Sequence, residues 1–516
     1  MPVKSAAAGA KNVAPPPRPS HVRRLALSEL ARLVGAQLVS GSGDVTVSGA
    51  TLRAHEARQG DLFAALAGAR AHGADFAEQA QRSGAVAVLT DEAGARKLDG
   101  SDLPVLVHEN PRQIIGVAAA HIYGEPATKL AIWGITGTAG KTTTTYLINS
   151  ALRAAGRTTG IIGGVETNIA GTRLDSAFTT PEAPDLQALL AVMLERGVTD
   201  VVMEVSSHAL SLGRVAGVGY AVAGFTNLSQ DHLDFHRDLE DYFAAKALLF
   251  DGRAATEVVC VDGDWGRRLV KPNTVTVSIQ DQAAWTYSDR QVFPDGRQTF
   301  VAHGPDGASL PVTIRLPGDF NIANALLAIG CLHSQGVEHD AITAGLEAMA
   351  VPGRMERVAV GQEFTAVVDY AHKPGAVTAV LDAAREQATG EVIVVLGCGG
   401  DRDSGKRELM GRAAASRSQL LIVSDDNPRS EDPAAIRRAM LAGAYDLPAG
   451  QRGEVLEIGD RRQAIAEAVR RAKPGDIVVV AGKGHETGQE IQGVVQPFSD
   501  RDELTAAIKA KLEAGA

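Results

Sequence analysis

Basic residues are in deficit. The 516-residue chain carries 51 Lys plus Arg against 61 Asp plus Glu, a net charge of −10. That balance argues against a nucleic-acid binder, which shows a basic footprint. It leaves anionic small substrates open, because local fields can oppose the global charge. Cysteine is scarce as well. Cys260, Cys331 and Cys398 are too far apart for a metal-spaced pair or a disulfide framework, and point to a reducing compartment. Long apolar runs are missing: none approaches the ~20 residues of a membrane span. The opening "MPVKSAAAGAKNVAPPPRPS" lacks the apolar core of a secretory signal. The cytoplasm, with no membrane insertion, is the expected location. Pro15 to Pro17 and Pro19 mark residues 1–23 as a disordered leader.

What is present is a globular composition, 45% hydrophobic and 22% charged, on a chain long enough for about three domains. The pattern is α/β and restarts twice. In residues 24–127, helical "RLALSELARLVGAQLV", with Leu25, Leu27, Leu30 and Leu33 on one side, precedes the strands "GDLFAAL", "GAVAVLT" and "LPVLVHEN". "GEPATK" marks a boundary. In 128–351, "DVVMEVSS" and "YAVAGFTNLS" are apolar runs of strand length ending in polar clusters. After Pro352-Gly353, residues 352–516 give "FTAVVDYAH", "VIVVLGCGG", "LLIVSDDNP" and "DIVVVAGKGHE", with "PGAVTAVLDAAREQ" and "DRRQAIAEAVRRA" as crossover helices. This is a doubly wound pattern, in which ligands gather at the carboxyl ends of strands. No exact internal repeat is present.

"KLAIWGITGTAGKTTTTYLINSAL" joins an apolar strand, a small-residue turn and a helix. The standard phosphate loop is G-x-x-x-x-G-K-[ST]. Here Gly140-Lys141-Thr142 fits its end, but the earlier glycine position is Ile135, and Gly137 gives a shorter G-x-x-G-K-T. Small residues let successive N–H groups curl around phosphate oxygens, and the helix beginning near Lys141 aims its positive end at the same charge. Lys141 supplies a mobile cation and Thr142 a hydroxyl for Mg²⁺. The glycine-rich "GCGGDRDSGK" competes for the role but lacks Lys-Thr at its helix entrance.

Other clusters lie at strand ends. Glu204 follows Val201-Val202-Met203, as a Mg²⁺ ligand beside a phosphate loop would. "TNLSQDHLDFH" crowds Asn227, Asp231, His232, Asp234 and His236, and marks His232 for a metal or phosphate. Lys246 sits in the apolar "YFAAKALLF". Burying an ammonium without a partner is costly, so spacing alone favours snorkelling to water. Asn321 and Asn324 share one helix face, with Asp319 as a candidate cap. "SDDNPRSEDP" places Arg429 at a strand-end loop, where a guanidinium can grip a carboxylate bidentately.

Taken together, "GITGTAGKTTT", "TTPEAPD", "MEVSSHAL", "FTNLSQDHLDFH", "AAKALLF", "DYAHKP", "DNPR" and "AGKGHE" resemble the Mur ligases, ATP-dependent amide-forming enzymes of peptidoglycan synthesis, over about Arg24 to Ala510. The resemblance is greatest to members that add 2,6-diaminopimelate. It implies three α/β domains: a small UDP-binding domain, a central phosphate-loop ATPase domain with a mostly parallel sheet, and a C-terminal Rossmann-like domain that brings the amino acid. It implies that ATP phosphorylates the D-glutamate carboxylate of a UDP-muramoyl dipeptide and that the amine of meso-diaminopimelate displaces the phosphate.

Carried over by residue, Gly137, Thr138, Ala139, Gly140, Lys141, Thr142 and Thr143 would hold ATP, with Asn321 and Asn324, and with Arg354 and Asp369 from the third domain. Thr142, Glu204 and His232 would meet Mg²⁺, two ions being implied. Lys246 would be carbamylated by CO₂ and support the second ion, which reverses the snorkelling reading. Leu52, Ala54, Thr179, Thr180, Ser206 and Arg214 would meet the UDP-muramoyl dipeptide. Arg402, Asp426, Asn427, Pro428, Arg429, Gly482 and Glu486 would form the diaminopimelate pocket. A monomer is implied. The chain departs from the family pattern at Arg53-Ala54-His55, where Asp-Ser-Arg is common, and at Phe178 and Leu212. A lysine-adding relative should lack Arg429. A folylpolyglutamate synthetase should lack both the first domain and "DNPR". A phosphate-loop ATPase that ligates nothing would need no amino acid.

Overall fold

A computed structural model describes residues 17–174 and 178–515; most of the proline-rich leader expected over residues 1–23 lies outside them. Three large sheets follow one another along the chain. The first has five strands, ordered Gln37–Ser40, Val105–Val107, Ala85–Thr90, Asp61–Ala64, Gly49–Thr51, parallel except where Gln37–Ser40 joins. The second has eight and centres on Ala131–Thr136, flanked by Asp200–Glu204 and Tyr220–Phe225. It is parallel apart from the edge pairings made by Thr167–Ile169. The third has six, ordered Glu356–Arg357, Thr365–Asp369, Ile477–Ala481, Val392–Leu396, Leu420–Val423, Glu454–Glu457, and only its first pairing is antiparallel.

The apolar runs follow from burial on both faces. Along Ala131–Thr136, Ile132 packs into one core while Trp133 and Ile135 pack into the other. Along Val392–Leu396, Val392, Val394 and Leu396 go to one side and Ile393 and Val395 to the other. A strand covered by helices on both faces has no solvent side to mark with polar residues.

Two local expectations need correction. The first helix is Leu27–Val34, with Leu27, Leu30, Ala31 and Val34 buried. Leu25 belongs instead to a short strand paired with Val47, and Leu33 is exposed, because the buried stripe runs one position away from it. Asp319 is the first residue of helix Asp319–Ser334, not its cap, and pairs with Arg290 at 2.9 Å. The three-stranded antiparallel sheet Thr286–Val292, Gln298–His303, Ser309–Ile314 had no clear signal in the sequence.

Parallel register brings the carboxyl ends together. Glu204 is level with Ile135, and Phe225 with Thr136, so the loops beginning at Gly137, Val205 and Thr226 open on one edge. In the third sheet Ala481 is level with both Asp369 and Leu396. That edge is pinned from behind. Arg461, fully buried, donates from Nε and Nη2 to the two oxygens of buried Asp500 (2.7 Å each) and from Nη2 to the Ala481 carbonyl (2.9 Å). The C-terminal helix Asp500–Gly515 is thereby tied to the residue before Gly482. Removing one partner of a buried pair strands the other charge. Asp500→Ala is expected to lower unfolding stability by about 3–5 kcal/mol, measured by urea denaturation.

Candidate functional site

The phosphate loop is shaped by two glycines in conformations L side chains avoid. Gly137 has φ +145° and Gly140 φ +88°. A Cβ on Gly137 would lie 1.8 Å from Thr226 Oγ1, and one on Gly140 2.2 Å from Asn324 Oδ1. The neighbouring strand-end residue Asn227 supports the loop: its carbonyl accepts from Thr138 N (2.9 Å) and its Oδ1 from Ala139 N (3.0 Å). Helix Lys141–Ala154 starts directly after the turn, so the shortened spacing keeps the strand, loop and helix of a phosphate site. Thr143 is buried behind the loop. A cleft of about 260 Å³ opens beside it, lined by Ala139, Gly140, Asn227, Trp265, Phe320 and Asn324 among others. Asn321 sets the amide of Asn324: its Nδ2 donates to Pro317 O (2.8 Å) and its Oδ1 accepts from Asn324 Nδ2 (3.2 Å).

The expected metal residues divide into two groups. Thr142 Oγ1 donates to Glu204 Oε1 (3.0 Å), which also accepts from Gly164 N (3.0 Å). His232, at φ +55°, lies 3.0 Å from Asp231 Oδ2 through Nε2. Among the described residues no three His, Cys, Asp or Glu converge as a protein cage. Mg²⁺ does not require one: it keeps waters and takes one or two carboxylates plus substrate phosphates. A buried hydroxyl and carboxylate next to a phosphate loop fit that need.

Lys246 does not snorkel. It is 1% exposed, donates to Gly137 O (2.9 Å) and sits over the Tyr242 ring at 4.5 Å. Burial, then the charges of Lys141 and Lys373, push its amine well below the ordinary lysine value. A buried, uncharged amine is the form that reacts with CO₂, and the carbamate so formed would face those two cations. The residue therefore fits the expected modification. Lys141 folds back on its own loop, donating to Gly137 O (2.9 Å) and Thr138 O (3.1 Å), and burial with Lys373 nearby pushes it down to about 8. Burial opposes the charged form of Asp231, yet Lys373 and His232 beside it hold its carboxyl well below the usual range.

Beyond Glu204 a second group converges. Thr180 Oγ1 donates to Glu204 O (2.9 Å) and accepts from Ser206 N (3.2 Å), while Arg214 Nη1 donates to Thr180 O (3.3 Å). Arg214 also pairs with Glu182 and lies over the Phe178 ring. Thr179 Oγ1 is near Gly164. Leu52 packs against the core of the first sheet and Ala54 is buried in a neighbouring cluster. The link is Arg53, where the family pattern was broken: it pairs with Asp185 at 2.9 Å.

Several residues expected to form the amino-acid pocket converge at the carboxyl edge of the third sheet. Asn427 Nδ2 donates to Glu486 Oε2 (2.8 Å), and Asn427 Oδ1 accepts from Lys483 Nζ (3.1 Å) and Glu490 N (3.0 Å). Gly482, at φ +116°, lets the loop pass Asp426: a Cβ would meet Asp426 Oδ2 at 2.6 Å. Arg429, after Pro428, is left-handed at φ +54°; its Nη1 donates to Gly400 O (2.6 Å) and its Nε lies 3.6 Å from Glu490 Oε2. Arg402 is exposed on the facing loop. Fully buried Lys483, which also reaches Glu486 at 3.2 Å, was not among the expected pocket residues; its place after an apolar strand was the available signal. Contacts from three residues of this domain reach the central domain close to the phosphate loop. Arg354 Nη2 lies 3.4 Å from Thr142 Oγ1, His485 Nε2 donates to Gly164 O (3.2 Å), and Lys373 Nζ donates to Thr138 O (3.1 Å). The buried carboxylate of Asp369 accepts from Met355 N and Ala371 N (2.7 Å each) and so fixes the loop that carries Arg354.

Comparison with known proteins agrees with this arrangement. The profile described as the Mur ligase middle domain matches residues 135–332, the Mur ligase glutamate ligase domain 353–484, and the Mur ligase family catalytic domain 46–123. The chain belongs to the Mur ligase family. Two similar relatives are each named UDP-N-acetylmuramoyl-L-alanyl-D-glutamate--2,6-diaminopimelate ligase. That of Streptomyces coelicolor is 51% identical over 96% of this chain and 98% of its own length; that of Corynebacterium glutamicum is 50% identical over 93% and 94%. A solved structure of an enzyme with this name superposes with a TM-score of 0.68 at 31% identity, covering 95% of this chain and all of its own. Within this Mur ligase neither glycine of the turn has room for a Cβ. Gly140→Ala is expected to weaken ADP binding at least about tenfold, or about 1.4 kcal/mol, by isothermal titration.

Proposed function

We propose that this Mur ligase joins meso-2,6-diaminopimelate to the D-glutamate of UDP-N-acetylmuramoyl-L-alanyl-D-glutamate at the expense of ATP, in the cytoplasmic assembly of peptidoglycan precursors. The observation that carries the acceptor is Arg429. Its left-handed backbone, its hydrogen bond to Glu490 O and the nearby Glu490 carboxylate hold its guanidinium two residues along the chain from Asn427, which bonds Glu486. A distal carboxylate, which diaminopimelate has and lysine lacks, suits that guanidinium. An amine suits Glu486 and Asp426. No helix among the described residues is long and apolar enough to cross a membrane.

Chemistry is divided between the two strand-end edges. Gly137 to Thr143 wrap the phosphates of ATP, and Lys141 leaves the loop carbonyls to neutralise them. Asn324 lines the cleft beside the loop, with its amide held by Asn321. Thr180, Ser206 and Arg214 orient the dipeptide so that its D-glutamate carboxylate meets the terminal phosphorus. Bound Mg²⁺ supplies charge neutralisation and alignment of the phosphate oxygens, with Thr142, Glu204, His232 and carbamylated Lys246 as its holders. The third-domain pocket then presents the amine to the acyl phosphate, and phosphate departs. Positioning and charge do the work, without an enzyme-bound covalent intermediate.

Arg429→Asn, a residue that tolerates left-handed backbone, is expected to lower kcat/KM for diaminopimelate roughly ten- to a hundredfold and to change that for lysine little. Equal use of lysine and diaminopimelate by the unaltered enzyme would contradict the acceptor assignment. For Lys246, enzyme equilibrated with ¹³C-bicarbonate should show a carbamate carbon resonance that Lys246→Ala lacks; no such signal in the active enzyme would remove the carbamate.

A further inference from the structure

Lys373 is not part of the site described so far except as a contact, yet its placement is unusual. It caps helix Pro374–Gln387 from an extended backbone, φ −133° and ψ 148°, and the following proline fixes the helix entrance. Its side chain is 13% exposed and leaves its own domain. Nζ lies 2.6 Å from Asp231 Oδ2 and donates to Thr138 O at 3.1 Å. Thr138 O is also an acceptor for Lys141 Nζ at 3.1 Å, and Lys246 donates to the adjacent Gly137 O. One turn of the phosphate loop thus holds three lysine heads from three different elements, with Arg354 approaching Thr142 from the same side. The acidic groups in reach are Asp231, shared with His232, and Glu204, already engaged by Thr142 and Gly164. Two neighbouring ammonium groups sharing one carbonyl repel each other at low dielectric. Such an arrangement is favourable once a polyanion lies between them.

We propose that Lys373 is a catalytic cation which the third domain inserts into the phosphate loop of the central domain, where it contacts the terminal phosphate. This rests on the reading of the chain as an ATP-dependent ligase. In the step it serves, a D-glutamate carboxylate oxygen bonds to the terminal phosphorus as the bond from that phosphorus to the β,γ-bridging oxygen breaks. ADP keeps the electron pair. Lys373 neither gives nor takes a proton; it stabilises the charge on the transferring group, as cations delivered in trans do in other phosphoryl transfers. The consequence is an order of events. Phosphate is activated only when the domain that carries the amine is docked, so the acyl phosphate is made next to its acceptor and away from water.

Two readouts test this on full-length enzyme. In binding, Lys373→Met is expected to weaken the β,γ-methylene analogue of ATP roughly ten- to a hundredfold while ADP affinity stays unchanged; equal affinity of mutant and wild type for the analogue overturns the proposal. In chemistry, wild type given β,γ-bridge ¹⁸O-labelled ATP and the UDP-muramoyl dipeptide, without amino acid, should scramble the label. Lys373→Met should do so about a hundredfold or more slowly, with an X-ray scattering profile in ADP that matches wild type. A slow mutant whose profile is open, and whose rate returns at saturating nucleotide, would reduce Lys373 to a docking contact and overturn the catalytic role. Lys373→Arg, which keeps the charge, should retain the preference for the triphosphate analogue; Lys373→Gln replaces the methionine variant if that one melts early. Failure of wild type itself to scramble would count against the ligase reading, whereas wild-type scrambling with an unimpaired Lys373→Met counts against this proposal alone.

Discussion

Lys141 and Lys246 both donate to the Gly137 carbonyl, and Lys141 and Lys373 both donate to that of Thr138. Two ammonium heads and the buried amine of Lys246 thus crowd one turn. Backbone carbonyls satisfy hydrogen-bonding capacity but do not cancel charge, so burial pushes Lys141 and Lys246 below their ordinary values. Each lysine comes from a different part of the chain: a helix start, the helix Leu239–Ala247, and the first residue before helix Pro374–Gln387. Holding them together requires both the parallel register of the central sheet and the docking of the third domain. The anionic substrate is what the arrangement lacks in charge.

Substrate choice is built elsewhere by the same device of aligned strand ends. Arg461 and Asp500 hold the end of strand Ile477–Ala481, and the loop that follows carries Lys483 and Glu486 to Asn427. Lys483, with no exposed surface, is the internal counter-ion of this pocket, and it keeps Asn427 and Glu486 at fixed positions. The two clusters therefore lie at the edges of two sheets. Contacts of Arg354, Lys373 and His485 cross between them, and the Arg290–Glu386 pair and the donation of Arg357 to Pro294 O join the same two domains.

Much of this was legible because strand ends in a parallel sheet are marked by an abrupt change from apolar to polar or glycine residues. Gly137, Glu204, Asn227, Asp426 and Gly482 all stand at such changes. The α/β class, the mostly parallel sheets and the family were readable for the same reason. Lys246 was not readable from spacing: an amphipathic helix with one lysine looks the same whether the head reaches water or a buried carbonyl. The Leu25 error arose from a helical period extended over a strand residue, and the Leu33 error from a stripe placed one position off. Arg461–Asp500, Lys373–Asp231 and Arg53–Asp185 were invisible, since a pair separated by tens or hundreds of residues leaves no local pattern. The hold of Asp369 on the Met355 and Ala371 amides left no local pattern either.

The central claim is that the loop at Gly137 to Thr142 serves to move phosphate onto a carboxylate, which an amine held near Arg429 then attacks. Dipeptide substrate carrying ¹⁸O in the D-glutamate side-chain carboxylate, turned over with ATP and diaminopimelate, tests it directly by mass spectrometry of the released inorganic phosphate. Transfer of one labelled oxygen to phosphate for each amide formed is the predicted result. Amide formation with unlabelled phosphate, or phosphate release without amide, would contradict the account.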